Sequence, residues 1–181
     1  MADLQNHISL RTAAPDDRAL LRSIYGSTRT IELERTNWDD EQKGAFITHQ
    51  FEAQDAHYKQ VYPDTDYSVI IYDAQPAGRL YVERNLIPGT IRIVDITLLP
   101  DFRNKGIGRY LIQQLQDEAE QAGKTLSIHV ERFNKALQLY EKIGFQLIKE
   151  THGVYYLMEW RPPGVASSVT EKDETEDASE K

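Results

Sequence analysis

No cysteine occurs in the 181 residues, and this one absence excludes disulfides, thiolate metal sites and a cysteine nucleophile. Five scattered histidines are the only soft ligands left, and none has metal-site spacing, so no metal is expected. Long hydrophobic runs are missing too. No stretch reaches the roughly 18 apolar residues of a membrane span, and Met1-Ala2-Asp3-Leu4-Gln5-Asn6-His7 lacks the basic-then-apolar order of a secretion signal. A cytoplasmic protein without a membrane partner is expected. Positive charge is in deficit: 21 Lys and Arg face 29 Asp and Glu, a net charge of −8. That argues against nonspecific nucleic-acid binding and suits cationic amines as substrates.

What is present is enough for one core, since 40% of the residues are apolar and the length fits one domain. The acidic excess is uneven. Residues 171–181 hold six acids and two lysines with no apolar side chain larger than alanine. The expected organisation is therefore a domain over residues 1–161 and an acidic, disordered tail over 162–181, dispensable beyond Pro163 for folding and turnover.

Along the chain, Ile8-Ser9-Leu10-Arg11 alternates as a first strand, and Pro15-Asp16-Asp17 opens a helix with Leu20, Leu21, Ile24 and Tyr25 on one face. Arg29 to Trp38 reads as the segment joining it to a second helix. That helix starts at the capping-box spacing Asp39-x-x-Gln42 and carries Phe46, Ile47, Phe51, Gln54, Tyr58 and Val61 at helical intervals until Pro63. Three strands follow, Tyr67 to Tyr72, Gly78 to Glu83 and Thr90 to Leu98. Next come a helix with the stripe Ile107, Leu111, Ile112, Leu115 and Ala119 that stops at Gly123, a strand over Leu126 to Val130, and a helix from Phe133 to Lys142. Two final strands, Phe145 to Lys149 and Val154 to Trp160, hinge at His152-Gly153. This order predicts a mixed α/β (α+β) fold whose largely antiparallel central sheet has about seven strands, flanked by four helices.

Between the third of those middle strands and the helix that follows lies Arg103-Asn104-Lys105-Gly106-Ile107-Gly108. The glycines let the backbone turn, and several N–H groups then converge at the positive end of a helix dipole, where phosphate oxygens are stabilised. Arg103, Lys105 and Arg109 add three cations. An ordinary basic strand-to-helix turn would look the same, so spacing has to discriminate. A dinucleotide fingerprint needs a third glycine where Leu111 stands, and the Gly123-Lys124-Thr125 triplet has Glu118 where a Walker loop needs glycine.

The spacing that fits is Arg-x-x-Gly-x-Gly, and here the chain resembles the GNAT superfamily of acetyl-CoA-dependent N-acetyltransferases. A second motif follows in the right order: Asn134-Lys135-Ala136-Leu137-Gln138-Leu139-Tyr140-Glu141-Lys142-Ile143-Gly144-Phe145 is similar to the family's closing Asn, Leu-Tyr-Glu and Gly-Phe segment. The resemblance covers Val94 to Phe145. Asn104 stands where the family usually has Gly, and Asn tolerates the left-handed backbone better than other non-glycine residues.

The resemblance implies a GNAT-like fold and the transfer of acetyl from acetyl-CoA to a primary amine, on a small molecule or a protein. Ile96, Thr97 and Leu98 would pair with the pantetheine arm, Arg103, Asn104, Lys105, Gly106, Ile107, Gly108 and Arg109 would hold the pyrophosphate, and Asn134 would reach the pantetheine. Tyr140 would lie near the sulfur as general acid, a role open to a phenol with a reference pKa near 10. A buried aromatic placed for packing is the alternative reading of Tyr140. Three residues are candidates for the base. Asp95 interrupts an apolar strand, and a structural pairing with Arg79 or Arg92 would explain it equally. His129 lies on the fifth strand, opposite Ile128 and Val130. Glu83 ends the third strand, where a rim acid is simply solvated. The competing function is a non-catalytic acetyl-CoA-binding module acting as sensor or complex subunit. The partners implied are acetyl-CoA and an amine acceptor, and a homodimer is compatible with the sequence.

Overall fold

The computed structural model describes residues 4–151 and 153–167. Its strands are β1 (Ile8–Thr12), β2 (Asp66–Tyr72), β3 (Gln75–Glu83), β4 (Thr90–Leu98), β5 (Thr125–Glu131), β6 (Gln146–Thr151) and β7 (Tyr155–Trp160), and its helices are α1 (Arg18–Leu33), α2 (Asp40–Val61), α3 (Ile107–Ala122) and α4 (Leu137–Lys142). The strands form one seven-stranded sheet in the order β1-β2-β3-β4-β5-β7-β6. The mixed α/β fold with four helices is as the sequence predicts. The chain divides into two compact units, residues 1–82 with 95–108 and residues 83–94 with 109–181.

In the first unit β2 runs antiparallel to both β1 and β3. The turn joining β2 to β3 puts Asp73 and Ala74 at φ 48° and 62°, the left-handed pair that a two-residue hairpin turn needs. Helices α1 and α2 bury Leu21, Ile24, Tyr25 and Phe51 with Val69 of β2, each such side chain contributing about 1.5–3 kcal/mol relative to exposure. Asp39 caps α2 as its spacing predicts, accepting from the Gln42 N–H at 2.8 Å while Gln42 accepts from the Asp39 N–H at 3.0 Å. The segment from Arg29 was expected to connect the helices, yet α1 continues to Leu33. Arg29 stabilises that last stretch, its guanidinium lying 5.4 Å from the Tyr25 ring centroid and 3.4 Å from Glu32, so the charges are helix-surface pairs.

In the second unit β4 and β5 run parallel, in register from Thr90↔Thr125 to Ile93↔Ile128; a parallel pair needs a crossover, which α3 supplies. The α3 stripe is buried at Leu111, Ile112, Leu115 and Ala119, and the helix closes at Gly123, φ 62°, where the Lys124 N–H reaches the Ala119 carbonyl at 2.8 Å. The amide of Gln116, buried, donates to the Ile143 carbonyl at 2.7 Å. Gly144, at φ 93°, brings its backbone against Trp160, whose Cδ1 a Cβ would approach to 3.2 Å.

Two expectations change here. The helix predicted from Phe133 begins only at Leu137, because Asn134 captures the Ala136 N–H at 2.9 Å and holds the chain in a turn. The segment after Pro162, expected as tail, folds back at its start: Pro162 is buried, and the Ser167 hydroxyl donates to the Glu159 carboxylate at 2.9 Å. The remaining tail, 168–181, and the expected hinge residue His152 lie outside the described residues.

Candidate active site

The basic loop leaves β4 through a short turn at Pro100–Phe102. Asn104 adopts φ 60° and Gly106 φ 84°, so the asparagine takes the left-handed backbone that its side chain permits. Among the described residues nothing accepts from the backbone N–H groups of Asn104, Lys105 and Gly106, and the 16-residue α3 begins one residue later. A Cβ added at Gly106 would meet Leu4 at 3.2 Å, whereas one at Gly108 would find Leu98 at an ordinary 3.8 Å. The loop can therefore cradle an anion. Its three cations are placed differently. Arg103 bridges inward, Nε donating to the Leu98 carbonyl at 2.8 Å and Nη2 to the Ser27 carbonyl and hydroxyl at 3.2 and 3.0 Å. Lys105 has its ammonium 5.4 Å from the Phe102 ring centroid, and Arg109 is exposed.

Asp95 is held from every side in the same unit. Arg79 donates through Nε to Oδ1 at 3.2 Å and through Nη2 to Oδ2 at 2.8 Å; Thr97 Oγ1 donates to Oδ1 at 2.8 Å and the Tyr58 hydroxyl to Oδ2 at 3.4 Å. The two charged side chains are only 3% and 10% exposed. Burial opposes the charge on Arg79, but the Asp95 carboxylate beside it more than offsets that, and the guanidinium is held protonated well above its ordinary value. Gln54 adds a further acceptor to Arg79 Nη2 at 2.8 Å. The Tyr81 ring lies 5.2 Å from the guanidinium, and burial pushes its phenol up to about 12 against the pull of Arg79. Of the two arginines that sequence reasoning offered to Asp95, Arg79 is the partner. Gln54, Tyr58 and the Thr97 hydroxyl were missed as members of this cluster; the i, i+4 spacing of Gln54 and Tyr58 on α2 was the available signal. Gly78 completes it, since a Cβ there would run into the Thr97 carbonyl oxygen.

The second unit carries the other candidates. Tyr140 is buried on α4, with its ring 5.6 Å from Phe145 in an edge-on contact. Asn134 is exposed, its side-chain oxygen committed to the Ala136 N–H. The Arg92 guanidinium lies 3.2 Å from His129 Nδ1; a guanidinium can only donate, so Nδ1 accepts and the ring proton sits on Nε2. Glu83 is buried rather than solvated at the rim, and accepts from the Asn85 and Leu86 N–H groups at 2.6 and 2.9 Å. Among the described residues no three His, Asp or Glu are grouped to hold a metal ion, and no helix is long and apolar enough to cross a membrane.

A model of the acetyltransferase (GNAT) domain family matches residues 34–154, and the chain belongs to that family. Solved structures share the fold. The PaiA N-acetyltransferase of Thermoplasma acidophilum, in complex with coenzyme A, is 18% identical with a TM-score of 0.64, covering 86% of this chain and 99% of that one. Spermidine N-acetyltransferase of Vibrio cholerae, with CoA and spermine, is 18% identical at 0.60, covering 86% and 96%. The yncA protein of Salmonella typhimurium, with acetyl-CoA, is 20% identical at 0.54, covering 91% and 99%. No curated protein sequence matches the chain at significant similarity.

Proposed function

We propose that the protein is an N-acetyltransferase that moves the acetyl group of acetyl-CoA directly to a primary amine. The observation that carries this reading is the loop at the start of α3, in which two left-handed residues, Asn104 and Gly106, leave successive N–H groups without an acceptor among the described residues. Such donors at a helix N-terminus suit a diphosphate. Lys105 and Arg109 would supply further positive charge, and Arg103 holds the loop to Leu98 and Ser27. Ile96, Thr97 and Leu98 lie in β4 beyond Ile93, where the parallel register with β5 ends, and would pair with the pantetheine arm. Asn134 would offer its amide N–H donors to the same arm.

Bound acetyl-CoA would supply a thioester whose acyl carbon takes the amine lone pair. The chain's own part is positioning and proton traffic. Tyr140, as general acid, would give its phenolic proton to the departing thiolate while the nitrogen of the new amide gives up a proton to water, from which the phenol is restored. Asp95 already uses four acceptor positions and neutralises a buried guanidinium, so we assign it to orienting Thr97 and Arg79 rather than to taking the proton. Glu83 is engaged by backbone donors and His129 Nδ1 by Arg92. The ammonium acceptor then loses its proton to water before attack, and turnover rises with pH until the amine is neutral.

An amine panel that includes spermidine and spermine, followed by release of free CoA thiol, tests the reading. A cysteine-free protein contributes no background to a thiol reagent. Turnover of any amine supports the enzyme; tight acetyl-CoA binding with no turnover across the panel favours the non-catalytic module.

A further inference from the structure

Arg103 fixes the start of the basic loop to Leu98 and Ser27, but the stretch after it does little to hold its own shape. Among the described residues no acceptor meets the N–H groups of Asn104, Lys105 and Gly106, and two of these three residues carry left-handed backbone, at φ 60° and 84°. Converging N–H dipoles repel one another until an anion arrives, so this stretch needs support from outside. The start of the chain supplies it. Leu4–Asn6 form a short 3-10 turn closed by the His7 N–H on the Leu4 carbonyl at 3.1 Å, and the turn lays the Leu4 side chain against Gly106, 3.2 Å from where a Cβ would stand. A second contact reaches the same loop through rings. His7 Nδ1 donates to the Asp73 carboxylate, the Asp73 N–H donates back to the His7 carbonyl at 3.0 Å, and the imidazole stacks on Tyr72 with 5.9 Å between centroids. Tyr72 meets Phe102 edge-on at 6.1 Å, and the Lys105 ammonium lies 5.4 Å from the Phe102 centroid.

All of these residues belong to the first unit, and residues 4–7 lie outside the stretch 34–154 that the family model matches. We propose that Leu4 and His7 are positioning residues for the coenzyme: they hold the loop from Asn104 to Gly106 in the form that binds a diphosphate, so that less backbone freedom is lost when the anion arrives. The inference rests on the acetyl-CoA reading and assigns to it two side chains that act through the loop rather than on the ligand. It also gives Gly106 two reasons to be glycine. Its φ of 84° permits the turn, and its missing Cβ leaves room for Leu4.

Calorimetry on the full chain with CoA as the probe tests it, beside thermal denaturation. Leu4→Ala and His7→Ala, both at half-buried side chains, should each weaken CoA binding by roughly 5- to 30-fold, the factor for fixing about one residue of backbone anew. Leu4→Met keeps the volume and should restore binding. On an accepted amine, the KM for acetyl-CoA should rise by the same factor while kcat and the KM for the amine stay at wild type. Asp17→Asn is the control. It breaks the Arg11 pair on β1 in the same unit without reaching the loop, so it should lower the melting temperature and leave CoA affinity alone. Wild-type CoA affinity in both Leu4→Ala and His7→Ala overturns the proposal. So does tighter binding in Leu4→Ala, which would make Leu4 an obstruction, or an equal loss in Asp17→Asn, which would make the effect one of general stability. A wild-type protein that binds no CoA defeats the acetyl-CoA reading itself; wild-type binding with indifferent Leu4 and His7 variants defeats only the positioning role.

Discussion

Arg79 and Asp95 face each other across two hydrogen bonds, 3.2 and 2.8 Å long, with almost no solvent on either side chain. Removing one partner of such a pair leaves the other charge buried and uncompensated, at about 3–5 kcal/mol. Asp95→Asn keeps the shape and the Thr97 contact yet strands the guanidinium, so the melting temperature should fall steeply. Thermal denaturation beside kinetics separates the roles. A variant of native stability that has lost turnover would make Asp95 a base after all.

Gly106 and Gly108 should answer differently to the same methyl group. At Gly108 a Cβ meets only Leu98 at 3.8 Å, and alanine is the better helix former by up to about 1 kcal/mol. Gly108→Ala should therefore melt no lower than wild type while acetyl-CoA affinity, read by calorimetry, drops at least about tenfold, since in the proposed diphosphate site the methyl would stand where the backbone approaches phosphate oxygens. Gly106→Ala strains a residue at φ 84° and should lose stability as well. Full affinity in Gly108→Ala would move the diphosphate elsewhere.

Local signals were legible and distant ones were not. Asp39 and Gln42 spell out their own cap, the Ile107–Ala119 stripe spells out the face of α3, and Asn104 carries in its side chain the tolerance for the backbone it adopts. The partner of Asp95 depended on which of Arg79 and Arg92 the sheet brings alongside, which no spacing along one strand reveals. Glu83 was misread as a solvated rim acid because its acceptors' donors, the Asn85 and Leu86 N–H groups, become available only when the following turn forms. The late start of α4 came from competition: Asn134 offers the backbone a turn of equal local quality, and periodicity is blind to that contest.

Asp17 gives the first unit a pH-dependent staple. Two hydrogen bonds from Arg11 at 2.6 and 2.7 Å, then the Ala14 N–H at 2.7 Å, lower its carboxyl from 3.8 to about 2. A depressed folded-state pKa stabilises fully above the unfolded value and is lost as pH falls through the folded one. The melting-temperature gap between wild type and Asp17→Asn should thus be constant above about pH 4 and close as the pH approaches 2. A gap that widens with acid would contradict the pairing.

Truncation after Pro163 should now destabilise the protein rather than leave it untouched. It removes Ser167, whose hydroxyl donates to a Glu159 carboxylate with no solvent exposure. Arg161 still lies 3.4 Å from the Glu159 carboxylate, so the loss is that of one hydrogen bond, about 1 kcal/mol, which is a few degrees of melting temperature. Truncation after Thr170 removes only the acidic run 171–181 and should melt as wild type. Equal melting of the two truncations would mean that the Ser167 contact contributes nothing.

Tyr140 separates an enzyme from a binding protein. Its ring is buried, edge-on to Phe145 at 5.6 Å, and its carbonyl accepts the Phe145 N–H at 3.0 Å, so ring and backbone are both fixed whatever the hydroxyl does. Tyr140→Phe keeps that packing and deletes one oxygen. If the phenol protonates the thiolate as it leaves, kcat on an accepted amine should fall by roughly 10- to 1,000-fold while the acetyl-CoA Kd stays near wild type, because the lost interaction exists only in the transition state. The remaining turnover should depend less on the hydroxyl's proton and more on the leaving group, so an acyl donor with a more acidic thiol should narrow the gap between the two proteins. Wild-type kcat in Tyr140→Phe would assign the proton to water or to the acceptor's own ammonium and leave the ring a packing residue.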